Sequence, residues 1–239
     1  MTTEHWRGEA ENWVRWARTP NHDGYWAYHT AFFDEFVPPP QGLTIDIGCG
    51  EGRTTRDLKS RGHRVSAIDA SATLVRYARD ADPISHYMVA DAASLPFHGE
   101  SFDMAIAYNS LMDVDDMPRS VKEAARVLRG GGRLCVCVTH PMADAGKFGQ
   151  RSADAPFVID GSYLEQRPFL ETFERAGLVM RFSSQCYPLQ EYAGAFESAG
   201  LLIETLREPV PDESFVQDDP AEARWRRIPA FLFLRLVKP

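Results

Sequence analysis

The chain has 239 residues, 44% hydrophobic and 25% charged, the make-up of an ordinary globule rather than a disordered or fibrous protein. Its 34 acidic side chains exceed the 26 basic ones for a net charge of −8, which argues against a nucleic-acid partner gripped by its phosphates. No apolar run approaches the roughly 18 residues of a membrane helix, and the start Met1-Thr2-Thr3-Glu4-His5 lacks a basic-then-apolar leader. The expected setting is the cytoplasm, with no membrane partner.

Residues 1–40 hold Trp6, Trp13, Trp16 and Trp26 in two amphipathic stretches parted by Thr19-Pro20-Asn21, and Pro38-Pro39-Pro40 ends them. They read as an N-terminal helical cap over a core. From residue 41 the pattern alternates strand and helix: an apolar strand over 43–47, a helix over 52–61, a strand over 63–68 ending at Asp69, and a helix to Asp80 that Ser71 can cap. Strands follow over 85–90, 102–108 and 133–138, with a helix over 117–128 between the last two and a Gly130-Gly131-Gly132 turn before the third. Such alternation predicts an α/β fold with a parallel sheet and helices on both faces, and a ligand at the carboxyl ends of the strands. Residues 141–187 break the rhythm, with extended stretches over 157–164 and 178–186, and read as an insertion over that edge. A helix over 189–198, a strand over 201–206, an acidic loop over 209–228 and a strand over 231–237 complete the chain.

Cys49, Cys135, Cys137 and Cys186 are expected to be reduced thiols. Cys135 and Cys137 lie two apart in a strand, without the turn that zinc ligands share, so no metal is expected.

The strongest motif is Asp46-Ile47-Gly48-Cys49-Gly50-Glu51-Gly52 at the first strand-to-helix turn. Glycines at alternate positions let the backbone bend sharply and approach a ligand. Asp69, at the end of the next strand, suits a carboxylate that accepts the hydroxyls of a ribose. The spacing departs from the dinucleotide fingerprint. Asp46 and Glu51 beside the turn would repel a pyrophosphate, but they suit a nucleoside joined to a cationic amino acid.

Residues 43–139 resemble the class I S-adenosylmethionine-dependent methyltransferases of the small-molecule, methyltransferase-11-like type. Asp46–Gly52 is similar to their first motif, Asp69 to their ribose acid, and Val89-Ala90-Asp91-Ala92 with Leu95-Pro96-Phe97 to their adenine-contacting motif. Phe102-Asp103 and Arg126–Gly132 are similar to the family's entries into strands four and five. Two departures stand out: Leu111-Met112-Asp113-Val114 replaces a His pair found after strand four in many relatives, and Gly130 replaces a proline.

The resemblance implies a Rossmann-like, seven-stranded, mostly parallel sheet whose last strand is antiparallel, with the 1–40 cap, a cofactor domain over 41–239 and an inserted lid over 141–187. It implies S-adenosylmethionine as cofactor and S-adenosylhomocysteine as product. Gly48, Cys49 and Gly50 would hold the methionine part, with Asp46 on its ammonium, and Asp69 and Ala70 would meet the ribose. Leu74, Asp91 and Ala92 would meet the adenine, and Tyr108 and Asn109 would lie near the sulfonium. Tyr25 or Trp26 in the cap would contact the cofactor, with His22 and His29 within reach of the site.

The function implied is methyl transfer to a small, partly apolar metabolite, on oxygen, nitrogen or carbon, by a monomer or homodimer. The alternative is a protein of the same fold that holds the cofactor as a sensor or cyclisation template. His140, directly after strand five, is the first candidate base, with Asp113 and Tyr163 behind it. Phe148, Phe157, Tyr163, Phe169, Phe173, Met180, Phe182 and Tyr187 in the insertion form either an apolar acceptor pocket or a mini-core.

Overall fold

Strands without a polar stripe are buried on both faces, and those of this chain build the central layer of a sandwich. The computed structural model describes residues 2–239, with side chains from residue 4 onward. In chain order the elements are α1 (Thr2–Arg18), α2 (Tyr25–Thr30), a π-helical turn (Ala31–Phe36), β1 (Leu43–Ile47), α3 (Arg53–Ser60), β2 (Arg64–Asp69), α4 (Ala72–Ala81) and β3 (His86–Val89). Next come β4 (Phe102–Tyr108), α5 (Met117–Val127), β5 (Leu128–Thr139), α6 (Pro141–Asp144), β6 (Gly146–Phe148) and β7 (Phe157–Ile159). The last are β8 (Arg167–Arg175), β9 (Leu178–Cys186), α7 (Leu189–Ser198), β10 (Leu202–Arg207), α8 (Glu213–Asp218), a 3-10 helix (Pro220–Arg226) and β11 (Phe231–Val237).

The main sheet has seven strands in the order β10-β11-β5-β4-β1-β2-β3. β1 pairs in parallel with both β2 and β4, so strand order reverses at its carboxyl end, where such sheets place their ligands. β11 is antiparallel to both β5 and β10, as the resemblance implied. One face of the sheet packs on α5 and α7 through Val121, Tyr192 and Phe196, and the other on Phe32 and Phe36 of the N-terminal segment, which meet Phe233 of β11. Ser71 caps α4 by accepting the Leu74 N–H, and Asp116 caps α5 by accepting that of Arg119. No helix among the described residues is long and apolar enough to cross a membrane.

Two segments correct the sequence reading. The insertion holds two hairpins, β6–β7 and β8–β9. The stretch expected to extend over 157–164 is strand only over Phe157–Ile159, whereas Arg167–Arg175 pairs with β9 along its length. Its two-residue turn has Ala176 and Gly177 both at positive φ (50° and 77°), the twist-matched geometry of a tight hairpin. The linker expected as a solvated loop over 209–228 instead forms α8 and the 3-10 helix. There Asp212 and Asp219 each accept a backbone N–H at a helix start, so part of its acidity serves as caps.

Candidate active site

The turn from β1 into α3 is left-handed at each glycine: Gly48, Gly50 and Gly52 have φ of 78°, 56° and 88°. A Cβ on Gly48 would lie 2.4 Å from Ser110 Cβ, and one on Gly52 2.9 Å from the Tyr87 hydroxyl. The turn is hooked to the end of β2 by the Gly48 and Cys49 N–H groups, both 2.9 Å from the Ile68 carbonyl. Asp69 completes the clasp, accepting the Gly50 N–H at 2.9 Å and the Ser71 N–H at 2.8 Å. Burial nevertheless pushes its carboxyl above the usual range. Each oxygen keeps a lone pair for a further donor such as a hydroxyl.

This clasp forms one wall of a cavity of about 930 Å³. Pockets that bury one drug-sized ligand run from roughly 300 to 1,000 Å³, so this cavity has ample room for a nucleoside-sized cofactor. Of the residues expected at the cofactor, Gly48, Cys49, Gly50, Asp69, Ala70, Leu74, Asp91, Ala92, Tyr108, Asn109 and Tyr25 all lie on its wall. Asp91 spends one oxygen on the Ala93 N–H at 2.8 Å. Asn109, left-handed at φ 50°, accepts from the Cys137 thiol at 3.3 Å. The Tyr108 ring stacks on Phe33 with centroids 5.5 Å apart, and burial pushes its hydroxyl far up, so the phenol is neutral.

Two expected contacts lie elsewhere. Trp26 is off the wall, whereas its neighbour Tyr25 is on it, with the Arg53 guanidinium 3.8 Å above its ring and its hydroxyl donating to Asp57. Asp46 is buried and also off the wall; one oxygen accepts from Thr55 Oγ1 at 2.6 Å and the other has no partner. Burial raises its carboxyl to about 7. Glu51 is on the wall but is not a free acid, because Arg18 and Arg56 each approach it at 2.8 Å. With two guanidinium groups on it, Glu51 would not repel a pyrophosphate.

Two of the three candidate bases are also displaced. His140 caps α6, its Nδ1 accepting the Met142 N–H at 3.0 Å and its Nε2 pairing with Glu208 at 2.9 Å. Both ring nitrogens are committed and the ring is not on the cavity wall, a correction to its place as first candidate. Tyr163 is likewise off the wall, where its hydroxyl accepts the Leu189 N–H at 3.3 Å. Asp113 does face the cavity, accepting from Ser184 Oγ at 2.6 Å, and burial raises its carboxyl to about 8. His22 is on the wall; His29 is not, and its Nδ1 lies 3.1 Å from the Trp26 carbonyl.

Sequence reasoning missed part of the wall. Trp6, Trp13 and Trp16, expected to cap a core, line the cavity and meet Phe182 edge to face at 5.8 to 6.2 Å. Their signal was the separation of three tryptophans along one stretch that also reaches α4, through Trp13 against Leu74. Asp144, Glu222, Arg224 and Trp225 line it as well, from the insertion and the supposed loop. Of the insertion's aromatic and Met residues, Phe148, Phe169, Phe173 and Phe182 are on the wall, and Phe157, Tyr163, Met180 and Tyr187 are not. Both earlier readings of that set thus hold in part, since the buried Met180 and Tyr187 pack away from the cavity. All four cysteines are free and buried.

Residues 45–136 match the family described as a methyltransferase domain. The chain is 36% identical over 88 residues to the malonyl-[acyl-carrier protein] O-methyltransferase of Salmonella typhimurium, covering 37% of this chain and 35% of that protein. It is 33% identical over 134 residues to the 27-O-demethylrifamycin SV methyltransferase of Amycolatopsis mediterranei, covering 48% of this chain and 49% of that one. The matches thus span between about a third and a half of these relatives' lengths. The crystal structure of an S-adenosylmethionine-dependent methyltransferase from Mesorhizobium loti shares the fold, with a TM-score of 0.73, 24% identity, and coverage of 90% of this chain and 98% of that one.

Proposed function

We propose that this protein, whose residues 45–136 match the methyltransferase-domain family, transfers the methyl group of S-adenosylmethionine to a small, partly apolar molecule in the cytoplasm. The observation that carries the reading is the glycine clasp closed by Asp69 on the wall of a cavity of about 930 Å³. The residues fit the cofactor: three left-handed glycines leave a cradle that side chains would fill, and Asp69 keeps acceptor capacity for ribose hydroxyls. When bound, the cofactor supplies a methyl group on a cationic sulfur, which leaves with the S–C electron pair.

The clasp would hold the amino-acid part by its backbone, and Asp91 with Ala92 would meet the base. Asp46, tucked behind the turn, would serve the ligand through the loop it supports. Residues 1–40 and 141–187 act as cap and lid, since α1, the β8–β9 hairpin and the 3-10 helix roof the space beyond the clasp. Excluding water and aligning the reactants can supply on the order of 7–11 kcal/mol. Asp113 would take a proton where the acceptor has one to lose. The two curated relatives are, by name, O-methyltransferases acting on an acyl-carrier-bound malonyl group and on a rifamycin.

S-adenosylhomocysteine at 100 times its dissociation constant should stabilise the fold by about 2.7 kcal/mol, with no effect of NAD. Stabilisation by NAD alone would overturn the reading. Incubation of methyl-labelled cofactor with a metabolite extract then separates transfer from mere binding, because only a transferase moves label into a product.

A further inference from the structure

Beyond the clasp the cavity is bounded by the β8–β9 hairpin, whose tip reaches the cap. Directly paired residues of an antiparallel ladder share a face, so the odd-numbered residues of β8 line up with the even-numbered ones of β9. On that face Phe169, Phe173 and Phe182 are on the cavity wall, and Arg175 ends the row just before the Ala176-Gly177 turn. Arg175 Nη1 donates to the His22 carbonyl at 2.6 Å, which ties the tip to the link between α1 and α2. At the root of the same face Ser184 Oγ donates to Asp113. Ser184 is six residues along the ladder from Leu178, the partner of Arg175, which is roughly 20 Å at about 3.4 Å per residue.

The wall's cations differ in their partners. Arg53, Arg151 and Arg224 are neutralised by Asp23, Asp219 and Glu222, and Lys147 is exposed. Arg175 is on the wall with no ion pair among the described residues, and most of its N–H groups are unspent. The acids around it do not take its place as ligand. Asp23 has both oxygens on Arg53, and Glu171 and Glu174 are exposed to water. Asp144 has Arg167 beside it. Asp113 is at the far root of the hairpin, well beyond the roughly 8 Å over which physiological salt screens a charge.

A separate observation points to the ligand. His22 and Trp16 are 3% and 5% exposed and on the same wall, and neither His22 Nε2 nor Trp16 Nε1 has a partner. Their rings meet edge to face with centroids 4.2 Å apart. Buried polar groups are nearly always hydrogen-bonded, so two bare ones side by side on a cavity wall mark a place that ligand atoms complete. The indole N–H can only donate. Burial and Arg175 hold the imidazole below its ordinary value, so the ring is neutral and can carry its proton on Nε2. A guanidinium, an indole N–H and an imidazole N–H thus adjoin. A carboxylate accepts at both oxygens, carries the opposite charge and matches the guanidinium fork; an ammonium would be repelled.

We propose that Arg175, Trp16 and His22 form a seat for a carboxylate carried into the cavity by a ligand. The inference rests on the methyltransferase reading for the molecules that bring it, which are two: the acceptor, and the cofactor through its amino-acid tail. The N–H groups of Gly48, Cys49 and Gly50 are spent on Ile68 and Asp69, so the clasp there offers carbonyls rather than donors. Carbonyls suit the tail's ammonium and leave its carboxylate to partners outside the clasp. An acid acceptor would lay its apolar part along Phe173 and Phe182, whose rings are 5.5 Å apart, and reach the tip with its carboxylate.

The test is calorimetric titration of the full chain at pH 7 with two pairs of probes, each an acid and a partner lacking the carboxylate. S-adenosylhomocysteine and 5′-methylthioadenosine are titrated first; 3-phenylpropionate and 2-phenylethanol follow on the chain saturated with S-adenosylhomocysteine. Arg175→Gln should weaken at least one of the two acids tenfold or more and leave its partner within about twofold. Trp16→Phe, which keeps a ring and removes the N–H, should weaken the same acid about threefold or more. Arg181→Gln, the same charge change at an exposed position of the hairpin off the wall, should move none of the four beyond twofold. A loss on S-adenosylhomocysteine assigns the seat to the cofactor's tail, and a loss on 3-phenylpropionate alone assigns it to the acceptor. Failure of both nucleosides to bind the wild type overturns the cofactor reading, and the second pair, titrated on the chain alone, then judges the seat. Both acids within twofold of wild type in Arg175→Gln, or an acid and its partner weakened equally, overturns the proposal.

Discussion

Replacing Gly48 by Ala tests the clasp at its tightest point. At φ 78° an added Cβ costs about 1–2 kcal/mol for left-handed backbone. The same atom would stand 2.4 Å from Ser110 Cβ, an overlap that requires a shift. Ser110 cannot give easily, since it is buried and its hydroxyl donates to the Ile47 carbonyl at 2.6 Å. Overpacking of this kind adds roughly 1–3 kcal/mol, so Gly48→Ala should cost about 2–5 kcal/mol in all. The cost should be read in two assays, urea unfolding and calorimetric titration with S-adenosylhomocysteine, where each 1.4 kcal/mol is about tenfold in affinity. Ser110→Gly in the Gly48→Ala background removes the overlap but forfeits a hydrogen bond of about 0.5–1.5 kcal/mol. The double variant should therefore recover only part of the loss. Wild-type stability and affinity in Gly48→Ala would refute the reasoning, as would a Ser110→Gly change that worsens it additively.

Asp46, Asp113 and Asp144 are raised by burial to about 7, 8 and 7, so the folded chain holds protons that the unfolded chain has released above about pH 4. Their contribution to stability is full below pH 4 and lost as pH rises to about 8. Melting curves should accordingly show a lower midpoint at pH 8 than at pH 6, with a shallower slope in Asp113→Asn. Asp69→Ala should weaken S-adenosylhomocysteine binding by roughly 1.5–3 kcal/mol, as for a hydrogen bond to a charged group. It should also lower the urea midpoint, because the Gly50 and Ser71 N–H groups lose their acceptor; unchanged affinity would remove Asp69 from the ribose. Glu51→Ala strands two arginines that are about a third exposed, and should cost on the order of 1–3 kcal/mol of unfolding free energy, less than the 3–5 of a fully buried pair.

Much of the fold could be read from the chain because local signals agreed with one another. Hydrophobic runs, helix caps at Ser71 and glycines at 48, 50 and 52 all concerned neighbours in sequence, and the sheet and clasp followed from them. His140 shows where that reasoning fails. Its position after β5 was right, but its imidazole was claimed by Met142 and by Glu208, a residue 68 positions away. The linker over 209–228 failed for a related reason, since Arg224 lies over Phe148 and Trp225 meets that ring at 5.0 Å, pairings no window of sequence contains. Arg167–Arg175 was missed because its strand has polar residues on both faces and owes its extension to the β9 partner. The turn at Ala176-Gly177 was the overlooked clue.

The first helix closes on one of the last-made walls: His5 bonds the Arg181 carbonyl across 176 residues, and α1 rests on β9. Contacts of such long separation bring no benefit until most of the chain is in place, so they belong to the late steps of folding. The same contacts open with least cost to the rest, because the sheet keeps its own cores when they part. In amide exchange, the seam between α1 and β9 would open before the sheet does. A molecule entering there would part the two halves of the roof while α1 stays tied to the floor through Arg18 on Glu51 and Val14 beside Leu74.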